Sequence, residues 1–183
     1  MTENTKELLI NSLRDLLEEK PISKISIREL TELTGVNRQT FYYHYGDIYE
    51  LLEDLILSDF NKYRDDLNND NLTPVVNIYR VLKKKKNIIK NIYNGSEINK
   101  INRVSINYVR KILEENLDTY DDAENLSEDD RNFIIKFFSF VIVGIIHMWV
   151  EDGMPDTLYT DLNRAQNILE LAIEISVYKF SND

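Results

Sequence analysis

A glycine-centred turn between two short helical patterns is the feature that most constrains the fold of this chain. Gly35 tolerates the left-handed backbone conformation that ends a helix. Asn37 follows two residues later and has a side chain that is suited to cap the next helix. The sequence therefore predicts two helices that are joined by a short, rigid turn.

The helix before this turn is predicted to begin at Ile27, because Ser26 and Glu29 have the spacing of a capping box. Its apolar residues Ile27, Leu30 and Leu33 recur at helical spacing. We expect all three of these side chains to face inward.

The helix after the turn separates apolar residues from polar ones. Phe41 and Tyr45 share one face at a spacing of four residues and are expected to face inward. The outward residues are donors, acceptors and aromatics: Arg38, Gln39, Thr40, Tyr42 and Tyr43. This layout is that of a DNA-binding helix-turn-helix, in which the second helix enters the major groove.

Specific DNA contacts follow from these residue types. Arg38 and Gln39 are predicted to bind guanine and adenine edges, and the tyrosines to hydrogen-bond phosphates. His44 has two interpretations, contact with a phosphate or packing against the first helix, and packing is favoured. The predicted DNA-binding set is Lys24, Ser26, Arg28, Asn37, Arg38, Gln39, Thr40, Tyr42, Tyr43 and His44.

The charge distribution is compatible with DNA binding although the chain carries a formal net charge of −10. Residues 1–46 hold six Lys or Arg and seven Asp or Glu, a balance of −1, so the acidity lies mainly beyond them. From Lys20 to Gly46, four basic residues accompany two acidic ones, a balance of +2. We therefore expect a modest cationic surface and weak non-specific binding.

Helical patterns fill the rest of the chain. A first helix at 5–19 is expected to pack behind the helix-turn-helix and to complete an N-terminal three-helix DNA-binding domain over residues 1–46. A fourth helix at 47–67 leads into a C-terminal helical bundle domain over residues 47–183. Further helices are expected at 74–93, 97–117, 128–150 and 158–180. The predicted fold class is all-α.

The last two predicted helices are expected to form a dimer interface. The helix at 128–150 is apolar on nearly all sides, and the helix at 158–180 has one clean apolar stripe. Two such helices from each of two chains would make a symmetric four-helix interface. Its predicted residues are Phe137, Val141, Ile145, Leu169, Ala172 and Ile173.

The C-terminal domain is also expected to hold an effector pocket. Aromatic side chains with a few polar groups are its candidate lining: Tyr79, Tyr93, Tyr108, His147 and Trp149. Each of these residues, taken alone, is equally consistent with core packing. The four lysines at 83–86 splay around a helix by about 300° and are interpreted as a solvated connection.

Several classes of site are excluded by the composition. The chain has no cysteine and two histidines that lie far apart in sequence, so no catalytic site, no metal site and no cofactor is expected. The Asp66-x-Asn68-x-Asp70 spacing resembles a calcium loop, but Asn71 stands where that loop requires glycine. Because no leader and no unbroken membrane-length apolar run is found, we expect a cytoplasmic protein without a membrane partner.

The helix-turn-helix resembles the DNA-binding domain of the TetR family of bacterial transcriptional regulators. The likeness covers about residues 5–55 and is specific where Thr-Phe-Tyr-Tyr-His-Tyr, at 40–45, leads into Tyr-Glu-Leu-Leu at 49–52. Within the family, the pattern is similar to that of regulators related to the activator of dihydroxyacetone kinase genes. Gly46 and Ile48 stand where this family often has lysines.

The resemblance implies a homodimer that binds a near-palindromic, double-stranded DNA operator through the helix at 37–45. It also implies that DNA affinity changes when the C-terminal domain binds an effector, and it implies no enzyme activity. A small-molecule effector is expected. The alternative is a protein partner that docks on the acidic C-terminal domain.

Overall fold

The computed structural model describes residues 2–67, 82–94, 98–155 and 158–182, and all regular secondary structure among them is helical. The first four helices are α1 (Thr2–Glu19), α2 (Ile27–Thr34), α3 (Arg38–His44) and α4 (Ile48–Leu67). The next four are α5 (Lys86–Tyr93), α6 (Ile98–Leu117), α7 (Glu128–Glu151) and α8 (Leu158–Ser181). Short 3-10 turns occupy Ile22–Lys24 and Ala123–Asn125. The predicted all-α fold class is confirmed.

One predicted helix is interrupted. The sequence pattern suggested a continuous helix over residues 74–93, whereas Lys85 has φ −110 and ψ 30 and precedes the start of α5. Residues 82–84 are helical, and residues 74–81 lie outside the described residues. The four lysines at 83–86 are therefore divided by a break in the helix, and three of them are exposed.

The chain divides into two compact units. Unit 1 contains residues 1–70 and 81–104, and unit 2 contains residues 71–80 and 105–183. The helix α6 begins in unit 1 and ends in unit 2. Unit 1 extends beyond the predicted DNA-binding domain of residues 1–46, because α4 and α5 both pack against α1.

Unit 1 is built around α1, which packs against α2, α4 and α5. Its core includes side chains that are at most 2% exposed: Leu9, Leu13, Leu17, Ile22, Leu30, Phe41, Leu51, Leu52, Leu55 and Ile101. The Arg14 guanidinium bonds to Asp59 on α4 over 2.6 Å in a largely buried ion pair. On α5, the Asn91 side chain donates to the Leu17 carbonyl over 2.9 Å, which satisfies one of the free carbonyls at the end of α1.

Unit 2 has a separate core in which α7 packs against α8. The buried residues on α7 include Ile134, Ile135, Phe138, Ile142 and Val143, which lie against Leu169, Ile173 and Val177 on α8. Among the described helices, α7 is the one long and apolar enough to suit a membrane span by length and composition. A core helix of a soluble protein passes the same test, and one face of α7 does pack in this core.

Replacement of Gly35 tests whether the turn of the helix-turn-helix needs a residue that adopts the left-handed backbone conformation. Gly35 follows α2 with φ 68 and ψ 6, and an added Cβ would meet no atom within 4 Å. Gly35→Ala should therefore lower the free energy of unfolding by about 1–2 kcal/mol through backbone strain alone. Gly35→Asn should cost less, because asparagine adopts this conformation more readily. Urea unfolding measures both variants, and an alanine variant as stable as the native chain would contradict the assignment.

Candidate nucleic-acid interface

Side-chain caps fix where the two helices of the helix-turn-helix begin. The Ser26 hydroxyl oxygen accepts the Glu29 backbone N–H over 3.2 Å. The Asn37 side-chain oxygen accepts the Thr40 backbone N–H over 2.8 Å and the Thr40 hydroxyl over 3.0 Å. Both predicted caps are confirmed. Because the cap occupies the Asn37 oxygen, the side-chain NH2 group is what Asn37 has left to offer to DNA.

The buried side of α2 differs from the predicted one. Leu30 and Thr31 are buried, whereas Leu33 is 63% exposed, so the expectation that Leu33 faces inward was wrong. Three residues advance a helix by about 300°, so two such steps from Ile27 place Leu33 about 120° away from that residue. The stripe at 27, 30, 31 and 34 keeps to one side, and Leu33 lies off it.

The orientation of α3 agrees with the sequence pattern. Phe41 is fully buried in the core of unit 1, while Tyr42 and Tyr43 are 57% and 78% exposed. Arg38 and Gln39 are exposed at the start of the helix, and Thr40 is half-buried. This helix therefore presents one polar and aromatic surface to the solvent.

His44 is half-buried at the end of α3. Its ring centroid lies 5.1 Å from that of Tyr43 and 6.2 Å from that of Tyr45. Both rings belong to its direct neighbours along the chain rather than to the first helix, and the two interpretations of His44 remain predictions.

Ion pairs within the segment from Lys20 to Gly46 decide where its positive charge lies. The Lys20 ammonium pairs with Glu29, and the Arg28 guanidinium pairs with Glu32 over 2.7 Å. The hydrogen bond that Arg28 donates to the Glu32 carboxylate, together with the negative charge of Glu32, raises the pKa of Arg28.

The remaining cations of this segment are Lys24 and Arg38, which are both exposed. Neither forms an ion pair with a residue in the described part of the chain. The net charge of +2 expected for this segment is therefore carried by these two residues, since each acidic residue is paired with another base.

The start of α4 is held in place directly after α3. The Asp47 carboxylate accepts the backbone N–H groups of Tyr49 and Glu50 over 2.8 and 3.1 Å. In return, the Glu50 carboxylate accepts the Gly46 N–H over 2.7 Å. Partial burial acts to raise the pKa of Asp47, but these hydrogen bonds and Lys100 outweigh it and the pKa is lowered. Asp47 therefore caps α4 as an anion.

Lys100 is a contact that the sequence did not reveal. Its ammonium lies 3.4 Å from the second carboxylate oxygen of Asp47 and 4.8 Å from the centre of the Tyr49 ring. Lys100 is in the first turn of α6, more than fifty positions further along the chain. No local sequence pattern points to a pair at this separation.

The residues predicted for a dimer interface divide into three groups by their exposure. Leu169 and Ile173 are 4% and 5% exposed and lie in the core of unit 2. Val141, Ile145 and Ala172 are partly buried against the same core, and Phe137 is 52% exposed. The structure thus places Leu169 and Ile173 inside the single chain rather than on its surface.

A different set of apolar residues is uncovered on the same two helices. We define the apolar face as the large side chains of α7 and α8 that are more than half exposed: Phe133, Phe137, Phe140, Met148, Ile168, Leu171, Ile175 and Tyr178. On each helix they recur at intervals of three or four residues, with Gly144 completing the row on α7. They therefore form one stripe per helix.

The residues predicted for an effector pocket lie in different parts of the molecule. Tyr93 belongs to unit 1, and Tyr108, His147 and Trp149 belong to unit 2. The Trp149 indole N–H donates to the Pro155 carbonyl over 3.2 Å, which ties the end of α7 to the chain that follows. His147 lies 3.7 Å from the Glu151 carboxylate. Tyr79 lies outside the described residues, as does much of the loop discussed for calcium.

These features define a DNA-binding helix-turn-helix protein, and family models give it a place among known regulators. A model described as bacterial regulatory proteins, tetR family, matches residues 9–55. A second model, described as transcriptional regulator C-terminal region, matches residues 70–170. The chain belongs to the TetR family of transcriptional regulators, as the sequence resemblance implied.

A solved structure has a similar fold along almost the whole chain. It is named dihydroxyacetone kinase operon activator DhaS and superposes with a TM-score of 0.56, covering 93% of this chain and 97% of that one. Its sequence identity is 18%, so this likeness establishes the fold alone. No curated protein matches the sequence of this chain.

Removal of the Arg38 side chain should weaken binding to the operator. Arg38 is the exposed cation at the start of α3, and one good base contact is worth about 1–3 kcal/mol. The test uses the duplex that the native protein retains from fragmented host DNA. We expect Arg38→Ala to lose about that much affinity for this duplex, measured by fluorescence anisotropy at fixed salt. Arg103→Ala, an exposed arginine on α6, is the control and should bind normally. Equal affinities of the two variants would contradict the role of Arg38.

Proposed function

We propose that this regulator is a homodimer that binds a near-palindromic operator through α3 of each protomer. The observation that supports this most directly is the exposed surface of α3, held by caps at its start and by Phe41 in the core. It acts on DNA in the cytoplasm and has no catalytic role. A two-fold symmetric dimer requires two half-sites of matching symmetry, separated by about 34–36 Å or a multiple of that distance.

In this proposal, the start of α3 supplies specificity. Arg38 forms a bidentate pair with a guanine edge, and Gln39 does the same with adenine. The exposed hydroxyls of Tyr42 and Tyr43 and the side chains of Lys24 and Ser26 bind phosphates and set the register of the helix. Arg28 contributes less charge than its position suggests, because Glu32 already pairs with it.

The proposed dimer forms through the apolar face. Among the described side chains of α7 and α8, eight large ones are more than half exposed, and clustered exposed apolar side chains often mark a protein–protein interface. Because these side chains are already partly covered in the single chain, burying the remainder would contribute about 1 kcal/mol for each. The apolar face, rather than Leu169 and Ile173, thus replaces the interface expected from the sequence.

Gly144 adds a geometric argument for this surface. It is exposed on α7 among the phenylalanines of the apolar face, and a Cβ added there would meet no atom within 4 Å. The fold of the single chain therefore does not require glycine at this position, and alanine would stabilise the helix by roughly 1 kcal/mol. Close approach of a partner helix would explain the glycine.

A charge on the apolar face should separate the protomers. Leu171→Glu places a carboxylate where it would be buried without a partner, which costs several kcal/mol in the dimer and little in the monomer. We expect sedimentation at micromolar concentration to give a monomer. Asn132→Glu adds the same charge at an exposed position of α7 off the apolar face and should leave the dimer intact. A dimeric Leu171→Glu variant would place the interface elsewhere.

The proposed signal comes from an effector bound by the C-terminal domain, with a small molecule as the first candidate and a protein partner as the second. The helix α6 supports a route for it, since α6 continues from unit 2 into unit 1 and carries Lys100 there. Lys100 contacts Asp47, which caps α4 immediately after the recognition helix. Any movement of α6 along its axis would therefore change the contact that holds the start of α4.

A native mass spectrum of the protein purified from its own host should distinguish the two effectors. A small molecule adds hundreds of daltons, and a protein partner adds thousands. The identified effector should then change operator affinity, with a coupling free energy of about 1–3 kcal/mol that is reciprocal between the two ligands. Lys100→Met, which removes the ion pair with Asp47, should reduce this coupling. Unchanged coupling in a folded Lys100→Met dimer would show that the signal takes another route.

A further inference from the structure

Three side chains from different helical elements of unit 1 meet beside the recognition helix. The Tyr45 hydroxyl donates to the Asp54 carboxylate on α4 over 2.9 Å. The same carboxylate oxygen accepts the Lys6 ammonium from α1, also over 2.9 Å. Lys6 lies 5.2 Å from the centre of the Tyr45 ring. The phenol, the carboxylate and the ammonium thus form a closed triad.

Tyr45 is the residue that ends the recognition helix. It follows His44 directly, has an extended backbone, and its N–H donates to the Phe41 carbonyl over 2.9 Å. The residue as a whole is 3% exposed. Burial and the bond to Asp54 raise the pKa of the phenol, so it remains a hydrogen-bond donor throughout the physiological range.

The geometry makes the triad a constraint on the angle of α3. A helix of seven residues has little stiffness from its own hydrogen bonds, so its direction is set where it is attached. Phe41 anchors the middle of α3, and Asn37 and Gly35 define its start. At its end, the bond from Tyr45 to Asp54 ties α3 to a point almost two turns into α4.

The components of the triad differ in what they contribute. Lys6 and Asp54 are 45% and 33% exposed at their side chains, so their ion pair is worth little by itself. Tyr45 is buried as a residue, and a hydrogen bond from its hydroxyl to an ionised acceptor is among the stronger and more directional ones. The hydroxyl therefore gives the triad its geometric precision.

We propose that Tyr45 is a positioning residue for DNA recognition, whose bond to Asp54 holds α3 at the angle that operator contacts require. This inference rests on the proposed use of α3 to contact base edges. Such contacts need placement within about 0.5 Å, whereas phosphate contacts that are independent of sequence tolerate larger displacements. Loss of the hydroxyl should thus affect specific binding much more than non-specific binding.

Tyr45→Phe tests this role, because it keeps the buried ring and its contact with Lys6 and removes only the hydroxyl. The probes are the duplex that the native protein retains from fragmented host DNA and a random duplex of the same length. We expect roughly tenfold weaker binding to the selected duplex. Binding to the random duplex and the salt dependence should be unchanged.

Two further variants at Asp54 separate geometry from charge. Asp54→Asn keeps an oxygen that accepts the Tyr45 hydroxyl and should retain affinity for the selected duplex. Asp54→Leu has no acceptor and should reproduce the Tyr45→Phe result. Tyr120→Phe, which removes a half-buried hydroxyl in unit 2, is the matched control and should bind both duplexes normally.

The outcomes distinguish this role from the proposed function. A native protein that selects no duplex would overturn the proposed use of α3, and the role of Tyr45 with it. If the native protein selects a duplex and Tyr45→Phe binds it equally well, the positioning role alone is wrong. Equal losses for the selected and random duplexes, together with lower stability in urea, would show that the hydroxyl serves folding only.

Discussion

A recognition helix of seven residues cannot be stable by itself, and the arrangement of unit 1 follows from that constraint. The helix contributes Phe41 to a core built mainly from the leucines of α1 and α4. Its remaining surface is then free to be polar. The Asn37 cap satisfies backbone N–H groups at the start of α3, and at its end the Tyr45 N–H donates to the Phe41 carbonyl, so α3 keeps its structure while its outer surface stays exposed.

The acidic composition of the chain is reconciled with DNA binding by local pairing. Glu29 and Glu32 each have a basic partner within the same segment, which leaves Lys24 and Arg38 as its cations without an ion pair to a described residue. A surface with two such charges releases few counterions when it binds DNA. In the proposed function, discrimination between sites comes from the placement of α3 against base edges, and the bonds that fix its angle serve that placement.

The apolar stripes of the two C-terminal helices were recognisable in the sequence, but the sequence did not show which stripe packs inward. The sequence indicated that α7 has more apolar surface than one chain covers, and its exposed phenylalanines agree with that. On α8 it favoured the stripe through Leu169 and Ile173 for the interface, whereas the structure buries that stripe in the core of unit 2 and leaves the equally apolar stripe through Leu171 and Ile175 exposed. Helical periodicity identifies stripes, but the choice of the stripe that packs inward depends on the neighbouring helix.

The sequence by itself determined most of the helices, the caps at Ser26 and Asn37 and the turn at Gly35, since these depend on residues within four positions of one another. It also determined the family, through the motif at 40–45. Only the tertiary structure decided which residues meet across long separations, such as Asp47 with Lys100 and Tyr45 with Asp54. Such pairs form because folded helices bring their side chains together, and no spacing along the chain encodes that proximity.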